Sequence, residues 1–307
     1  MNTSVLACTD RRPACGLDPD LAALLARSGL VPEHVEEVAR RVVGEETGTG
    51  VDRATAVLVP ESAVLVGDFT ARQDGVVAGL RVVEAVLSVA CAEGFTVRRR
   101  AEEGARVEAG QVLLSLTAPA RALLTAGNGA LNLLCRMSGI ATATRRWADV
   151  LDGTRARVRD TRKTTAGLRA LEKYAVRCGG GVNHRMSLSD AALVKDNHVV
   201  AAGGVAQAFR AVRRRFPELA IEVEVDTLPQ VHEVLDAGAD LILLDNFTPA
   251  ATAEAVAVVA GRALLESSGR LTLDTARAYA ETGVDYLSVG SLTHSAPALD
   301  IALRLRD

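Results

Sequence analysis

The strongest constraint on the fold is a regular repeat of apolar, strand-like segments in the second half of the chain. Four of them, IEVEVD, LILLDN, RALLESSG and YLSVGS, end near Glu224, Asp245, Ser267 and Gly290, at steps of 21, 22 and 23 residues. Two similar segments come earlier, RVRDTRK ending at Lys163 and ALVKDNH ending at His198. Helix-like segments separate them, and this alternation predicts a parallel sheet covered by helices. Six or seven such units favour closure into a barrel or a partly open barrel.

The first half of the chain has a mixed pattern. Helical spacing of apolar residues predicts helices over about 17–46, 76–92 and 119–147. Residues 57–66 and 95–117 are β-rich, which predicts short strands joined by turns. This half contains no catalytic constellation of its own, so we expect a mixed α+β domain that precedes the functional one.

Composition excludes several classes of function. The 307 residues are 49% hydrophobic and 24% charged, with a net charge of -3, so no overall charge recruits nucleic acid or an anionic membrane. Aromatic residues make up only 3%, too few for the stacking platforms of proteins that bind single-stranded nucleic acid. No apolar run approaches the roughly 20 residues of a membrane span.

Two further features predict the compartment. The N-terminus contains Asp10, Arg11 and Arg12 before any apolar stretch develops, which predicts that the chain has no signal peptide. The five cysteines are odd in number and form no CxxC pair, so disulfide and metal frameworks are both poor interpretations. We therefore expect a reduced, cytoplasmic protein.

Positive charge is concentrated in one segment. Residues 155–195 contain ten Lys or Arg and three Asp or Glu, a net charge of +7, which leaves -10 for the rest of the chain. A local basic concentration in an acidic chain favours a small anionic ligand over a long polyanion. For Arg169, Lys173 and Arg177, a solvated helix face is an equally good interpretation.

Polar or glycine residues end all six predicted strands: DTRK, KDNH, EVD, DN, ESSG and VGS. In a parallel α/β barrel, the C-terminal strand ends and the loops that follow them converge on one site. Asp, Asn and Ser are also common helix caps, so any one of these motifs alone is explained by capping of the helix that follows it. Six of them in register, with lysines and arginines among them, predict one shared substrate cup.

The residue types indicate what this cup binds. Four side chains supply positive charge for carboxylate or phosphate: Arg162, Lys163, Arg185 and Lys195. Two carboxylates, Glu224 and Asp245, suit ribose hydroxyls or a magnesium ion. The last two strand ends, where barrels often bind phosphate, contain Ser267, Ser268, Gly269, Gly290 and Ser291. We expect a ligand set of an anionic acid, a sugar and at least two phosphate groups.

A nucleotide-binding Rossmann site is not predicted, because no GxGxxG follows a strand. The triple glycine at 179–181 follows a helical stretch instead. We expect it to shape the loop that contains Asn183, His184 and Arg185.

The run from Arg159 to His198, RDTRKTTAGLRALEKYAVRCGGGVNHRMSLSDAALVKDNH, closely resembles the quinolinate phosphoribosyltransferase family. Shorter segments show the same resemblance: ARQDGVVAGL at 71–80, SGIATAT at 138–144, EVEVD at 222–226, LLDNF at 243–247, LESSG at 265–269 and VGSLTHS at 289–295. The resemblance covers nearly the whole chain from about residue 55.

The resemblance implies a type II phosphoribosyltransferase with two domains. An N-terminal α/β sandwich would cover residues 1–137, an open, TIM-like α/β barrel would cover 138–295, and the tail at 296–307 would pack back on the sandwich. Family members join quinolinate to phosphoribosyl pyrophosphate and release carbon dioxide and pyrophosphate to give nicotinate mononucleotide, a step of NAD biosynthesis. They require Mg²⁺ and assemble at least as a homodimer with shared sites.

By position, the resemblance also assigns roles to residues. The residues that would bind the substrates, and the pyridine dicarboxylate in particular, are Asn128, Thr161, Arg162, Lys163, His184, Arg185 and Lys195. The catalytic set would be Lys163, Lys195, Glu224 and Asp245, of which Glu224 and Asp245 would hold Mg²⁺ through water or substrate. Ser268, Gly269 and Gly290 would belong to the phosphate cradle, beside Ser267 and Ser291.

One segment departs from the family pattern. Residues 123–134 read LLTAGNGALNLL, with Gly127 and Asn128 where the family has a Glu-Arg pair. That arginine reaches into the neighbouring subunit's site and grips a substrate carboxylate, whereas Asn128 carries no charge and cannot make a bidentate pair. Gly127 and Gly129 also weaken the helix by about 1 kcal/mol each relative to alanine.

Three hypotheses follow from this departure. The protein is a quinolinate enzyme in which another residue compensates, a phosphoribosyltransferase retuned to another small aromatic acid, or a non-catalytic anion-binding relative. A further alternative is a different barrel enzyme, a lyase that forms a Schiff base with its substrate through Lys163 or Lys195.

Overall fold

The computed structural model describes residues 15–91 and 93–306. The segment in which we predicted no signal peptide lies almost entirely outside these residues, as does Cys8. Within the described part of the first half, the elements in chain order are α1 (Pro19–Arg27), α2 (Pro32–Thr47), α3 (Arg53–Leu58), β1 (Val64–Ala71), β2 (Gly75–Val76), α4 (Leu80–Cys91), β3 (Thr96–Arg99), β4 (Arg106–Val107), β5 (Val112–Pro119) and α5 (Ala120–Val150).

The second half alternates strands and helices. Its elements are β6 (Arg157–Arg159), α6 (Arg169–Cys178), β7 (Ala192–Val194), α7 (Asp196–Ala202), α8 (Val205–Arg215), β8 (Ile221–Val225), α9 (Leu228–Asp236), β9 (Leu241–Asp245), α10 (Pro249–Val259), β10 (Leu264–Ser268), α11 (Leu273–Ala280), β11 (Tyr286–Ser288), α12 (Ser291–His294) and β12 (Ile301–Arg306).

The six strands from β6 to β11 form one parallel sheet in the order β6-β11-β10-β9-β8-β7. Its end strands β6 and β7 do not pair with each other among the described residues, so the barrel stays open between them. Apolar residues such as Val223, Ile242, Leu244 and Leu265 are buried in the strands, as expected for a parallel sheet with covered faces. The predicted partly open α/β barrel is confirmed.

A second, separate sheet has four antiparallel strands in the order β12-β1-β5-β3. Phe69 of β1 lies opposite Leu114 of β5, and both side chains are completely buried. Helices α4 and α5 pack beside this sheet through Leu87, Leu123 and Leu134, which are also completely buried. This sheet with its helices is the α/β sandwich implied by the family resemblance.

The segment after the barrel returns to this sandwich. Strand β12 pairs antiparallel with β1, with Ala71 opposite Ile301 and Val66 opposite Arg306. The boundary at residues 137 and 138 falls inside the single long helix α5, which therefore belongs to both halves. The proposed domain boundary stays a prediction, because no break in the helix marks it.

Two local predictions differ from the structure. The predicted helix over 17–46 is two helices, because the left-handed Gly29 and Pro32 separate α1 from α2. The β-rich prediction over 57–66 is wrong at its start, since α3 extends to Leu58. Helix α3 forms because the Asp52 carboxylate accepts hydrogen bonds from the backbone N–H groups of Ala54 and Thr55, both at 3.1 Å.

The solvated-face interpretation is wrong for Lys173. Its side chain is completely buried and pairs with the equally buried Asp160. Arg177 donates to the Asn183 side chain at 2.7 Å and to the carbonyl of Ser28 at 2.7 Å. Among the described helices, none is both long and apolar enough to cross a membrane.

Candidate active site

The polar ends of the barrel strands surround one cavity of about 710 Å³. Twelve of the predicted site residues line it: Thr161, Arg162, Lys163, His184, Arg185, Lys195, Glu224, Asp245, Ser268, Gly269, Gly290 and Ser291. Ten of them come from the six strands or from the residues shortly after them, because the carboxyl ends of parallel strands meet at one edge of the sheet. The other two, His184 and Arg185, come from the loop between α6 and β7. We call this cavity the substrate cup.

The basic side of the cup has unfilled hydrogen-bonding capacity. The Nε atom of Arg162 is buried and has no acceptor among the described residues. Arg185 donates through Nη1 to the carbonyl oxygen of Ala191 at 2.8 Å, which fixes its direction. A planar guanidinium with free donors is suited to bidentate binding of a carboxylate.

The loop that contains His184 is held against β6 by backbone hydrogen bonds. Val182 donates to the carbonyl of Val158 at 2.9 Å, and Asp160 donates to the carbonyl of Val182 at 3.1 Å. The preceding glycines allow this approach: a side chain at Gly181 would meet Val176 and Thr144 at 2.8 Å. The triple glycine therefore shapes the loop that presents His184 and Arg185 to the cup, as predicted.

The hydrogen bonds of His184 define its tautomer. Its Nδ1 accepts from the backbone N–H of Arg185 at 2.7 Å, so Nε2 carries the proton and faces the Glu222 carboxylate at 2.8 Å. Burial lowers the pKa of His184 to about 4, against the opposing attraction of Glu266. The imidazole is therefore neutral near pH 7 and serves as a hydrogen-bonding group.

The acidic side of the cup is formed by Glu224 and Asp245. The Nζ of Lys195 lies 2.7 Å from Oε2 of Glu224, so these two residues form an ion pair at the cup surface. Burial raises the pKa of Asp245, and repulsion from Asp226 adds to this effect. The side-chain amide of Asn246 donates to Asp245 at 2.7 Å and opposes the rise.

The end of the cup at β10 and β11 is lined by small residues. Gly269 has φ +97°, and a side chain there would meet the Asn246 side chain at 2.3 Å. A side chain at Gly290 would meet Cδ of Lys163 at 3.1 Å. Both glycines line the cavity, so no side chain of theirs would separate their backbone from a phosphate group bound there.

Two predicted site residues lie elsewhere. Ser267 does not line the cup; its hydroxyl is buried without a hydrogen-bond partner among the described residues. Asn128 lies on α5, outside this cup, and its side-chain amide donates to Oε1 of Glu46 on α2 at 3.3 Å. In the single chain, therefore, Asn128 is not brought together with the other candidate residues.

The structure also adds residues to the cup that the sequence analysis did not select: Glu266, Ser288, His294, Asn246 and Arg270. Glu266 was detectable, because residues two apart in a strand face the same side. Ser268 at the cup therefore places Glu266 on the cup side and Ser267 on the other. Ser288 ends β11 and His294 ends the short helix α12, whereas Asn246 and Arg270 come from loops, where no periodicity indicates direction.

A partly open parallel barrel whose cup joins five lysine or arginine side chains, three carboxyl groups and two glycines defines an enzyme of small, anionic, phosphorylated substrates. Sequence models of this class match most of the chain: "Quinolinate phosphoribosyl transferase, N-terminal domain" matches residues 52–138, and the corresponding C-terminal domain matches residues 140–304. The chain belongs to the quinolinate phosphoribosyl transferase family.

Individual relatives agree with this assignment. The nicotinate-nucleotide pyrophosphorylase [carboxylating] of Mycobacterium leprae is 52% identical over 277 residues, which cover 89% of this chain and 98% of the relative. The probable enzyme of the same name from Bacillus subtilis is 38% identical over 260 residues, covering 84% and 89%. The crystal structure of NadC from Streptococcus pyogenes has a TM-score of 0.86 at 37% identity, covering 91% of this chain and 99% of that chain.

Proposed function

We propose that this protein transfers the phosphoribosyl group of phosphoribosyl pyrophosphate to quinolinate, with loss of carbon dioxide, to give nicotinate mononucleotide and pyrophosphate. The observation that supports this most is the substrate cup, in which basic, acidic and polar residues at the ends of the six strands line one cavity of about 710 Å³. The family membership of the chain supports the same reaction.

The aromatic acid binds on the basic side of the cup in this proposal. Arg162 and Arg185 pair with its carboxylates, since the guanidinium of Arg162 has a free buried donor. The hydroxyl of Thr161 provides a hydrogen bond, and the neutral ring of His184, whose two nitrogens are engaged by Arg185 and Glu222, packs against the acid and helps to hold it in one orientation. This places the pyridine nitrogen toward the sugar, which is the geometry that attack on ribose requires.

The phosphoribosyl donor occupies the rest of the cup. Lys163 and Lys195 are point charges for phosphate oxygens, and the open backbone at Gly269 and Gly290, beside Ser268 and Ser291, receives the remaining phosphate group. Departure of pyrophosphate makes the ribose ring cationic, and Glu224 and Asp245 stabilise that charge.

Bond formation leaves the pyridine nitrogen cationic. The ring can then hold the electron pair that stays on its carbon when the carboxylate next to nitrogen leaves as carbon dioxide. That carbon then takes up a proton from water, which completes the nicotinate ring. The residues that bind this carboxylate must therefore release it, so we expect hydrogen bonds from the arginines rather than a covalent attachment.

Magnesium fits the donor set on the acidic side. Asp245 has only the Asn246 amide as a side-chain hydrogen-bond partner among the described residues, and carboxylate oxygens are the ligands that Mg²⁺ prefers. Lys195 already pairs with Glu224, so Asp245 would hold the ion directly and Glu224 would do so through water or substrate. Bound there, Mg²⁺ would neutralise charge on the departing pyrophosphate.

The proposal includes a homodimer with shared sites, in a reducing compartment such as the cytoplasm. Asn128 lies outside the cup of its own chain and is available to a neighbouring copy. It would then contribute a hydrogen bond rather than a charge to the partner's acid. The four described cysteines, Cys15, Cys91, Cys135 and Cys178, are free thiols, which supports the reducing compartment.

The experiment is a direct assay with purified protein, Mg²⁺, phosphoribosyl pyrophosphate and quinolinate, in which nicotinate mononucleotide is detected by mass. We expect turnover, and we expect Asp245→Asn to lower kcat/KM by about tenfold or more. Asp240→Asn is the matched control, because Asp240 is exposed at the opposite end of the same strand. Absence of product from the wild-type protein would refute the proposal; binding of phosphoribosyl pyrophosphate in that case would indicate a different acceptor acid.

A further inference from the structure

The floor of the substrate cup is a buried ionic cluster. We define this floor cluster as Arg159, His184, Glu222, Glu266 and Ser288. The Nη1 atom of Arg159 lies 2.5 Å from Oε2 of Glu266 and 3.7 Å from Oε1 of Glu222. The hydroxyl of Ser288 donates to Glu266, whose side chain is completely buried. Barrel interiors are usually filled by branched apolar residues, so this polar filling calls for a physical explanation.

The floor cluster has one carboxylate more than its cations balance. Its carboxyl groups are those of Glu222 and Glu266, its one permanent cation is Arg159, and His184 is neutral with its proton on Nε2. Oε1 of Glu222 also has no hydrogen-bond partner among the described residues. Uncompensated negative charge in a buried site is costly, and a bound proton removes it at the least cost.

A bound metal ion would balance the excess negative charge of the floor cluster less well than a bound proton does. Ligand atoms of His184, Glu222 and Glu266 all lie within 4.8 Å of one another, as in a three-ligand metal site. The guanidinium of Arg159 already contacts both carboxylates from within the same space. A divalent cation would have to displace that guanidinium or bear its repulsion.

The floor cluster faces the substrate, since His184, Glu266 and Ser288 all line the cup. If the proposed function holds, a carboxylate of the aromatic acid binds directly above these groups. An ionised Glu266 would repel that carboxylate through a medium that excludes water. A protonated Glu266 would not.

We infer that Glu266 is a positioning residue that takes up a proton when the aromatic acid binds, so that the acid's carboxylate meets a neutral floor. This inference rests on the proposed function. Burial raises the pKa of Glu266 to about 7 in the ligand-free protein, and repulsion from Glu222 adds to the rise. The group is therefore partly ionised near pH 7.5, and a new negative charge above it shifts it to the protonated form.

The charged and polar groups around Glu266 come from β6, β8 and β11 and from the loop that contains His184, and they set the direction of this coupling. Glu222 favours protonation of Glu266, whereas Arg159, His184 and the hydroxyl of Ser288 oppose it. Around His184 the further charges are Arg185 and Lys173, with Asp160 at its backbone N–H. Around Glu222 they are Arg185 and Glu224. The carboxylate of an incoming acid repels an ionised Glu266, as Glu222 does, and therefore favours the uptake of a proton.

The test is isothermal titration calorimetry of quinolinate binding to the intact protein in buffers of different ionisation enthalpy, at several pH values. We expect uptake of between about 0.5 and 1 proton per site at pH 7.5, and less than about 0.2 at pH 6, where Glu266 is already protonated. Glu266→Gln keeps a hydrogen-bond donor but cannot ionise, so its uptake should be close to zero at both pH values.

Two further variants separate this role from a merely structural one. Ser288→Ala removes the hydroxyl that stabilises the ionised carboxylate, so the pH midpoint of proton uptake should move upward. Glu84→Gln is the matched control, because Glu84 is a half-buried acid that pairs with Arg99 on the sandwich. Proton uptake on quinolinate binding should be the same in this variant as in the wild type. Structural damage alone would not move the midpoint in a defined direction.

The outcomes are distinguishable from a failure of the proposed function. If quinolinate produces no binding heat in any buffer, with or without phosphoribosyl pyrophosphate, the acceptor assignment fails. If quinolinate binds with the same heat in all buffers, or if Glu266→Gln retains full uptake, the inference is wrong and the proposed function stands.

Discussion

Lys173 and Asp160 form an ion pair in which both side chains are completely buried. Asp160 also accepts hydrogen bonds from the side-chain amide of Asn183 at 2.5 Å and from the backbone N–H of His184 at 2.7 Å. One carboxylate therefore joins helix α6 to the loop that presents His184 and Arg185. The geometry of the basic side of the cup depends on a charge pair that does not itself line the cup.

Lys173→Met should destabilise the protein by about 3–5 kcal/mol, because it leaves the Asp160 carboxylate buried without its cation. Urea unfolding followed by circular dichroism measures the change. Arg41→Met is the control: Arg41 pairs with Glu37 on the exposed face of α2, and its loss should cost about 0.5 kcal/mol or less. Equal costs for the two variants would contradict the structural role of the buried pair.

Gly139→Ala should destabilise the protein by about 1–3 kcal/mol, because a Cβ at this position of α5 would lie 2.1 Å from the carbonyl oxygen of Pro297. Gly44→Ala makes the same substitution in α2, where nothing lies within 4 Å of the new atom. There we expect stabilisation by up to about 1 kcal/mol from helix propensity. Thermal unfolding of both variants checks the sign; two changes of the same sign would contradict the packing described here.

Arg162→Lys should raise the KM for the aromatic acid by about tenfold or more and leave the KM for phosphoribosyl pyrophosphate within about twofold. Lysine keeps the charge but loses the two parallel donors that a carboxylate accepts. Steady-state kinetics with each substrate varied separately measures the two constants. Arg210→Lys, on the exposed face of α8, should change neither. An equal rise in both KM values would show that Arg162 does not discriminate between the substrates.

Glu266 should also make stability depend on pH. Burial raises its pKa from 4.5 to about 7, so the folded protein binds the proton more tightly than the unfolded chain does. The resulting stabilisation is complete below about pH 4.5 and is lost as pH rises through about 7.

Glu266→Gln removes this component of the pH dependence. Relative to wild type, the variant should therefore gain on the order of 3 kcal/mol in free energy of unfolding between pH 5 and pH 8. Urea unfolding at the two pH values gives the difference. Glu254→Gln, on the exposed face of α10, should follow wild type at both. A variant whose pH dependence matches wild type would show that Glu266 does not titrate in this range.

The barrel could be predicted from the sequence because its strands are short, apolar and evenly spaced, and each ends in polar residues. The sandwich was less predictable. Val57 and Leu58 suggested a strand, yet they are exposed on α3, where a cap from Asp52 decides the conformation. A single capping side chain outweighs β-propensity over so few residues.

The cup could be predicted in outline because parallel strand ends must converge. What the sequence did not predict was the direction of single side chains. Ser267 was included in the cup and Glu266 left out, although two-residue periodicity separates them. Lys173 looked like a surface residue because helical spacing does not show that Asp160, thirteen positions earlier, lies beneath it.

The pairing of β12 with β1 has a consequence for folding during synthesis. Ala71 and Ile301 are paired neighbours, although 230 residues separate them in sequence. While the ribosome makes the barrel, β1 has an unsatisfied backbone edge that only a much later segment can cover. Such edges recruit other chains, so the newly made protein is most vulnerable to aggregation in the interval before β12 emerges.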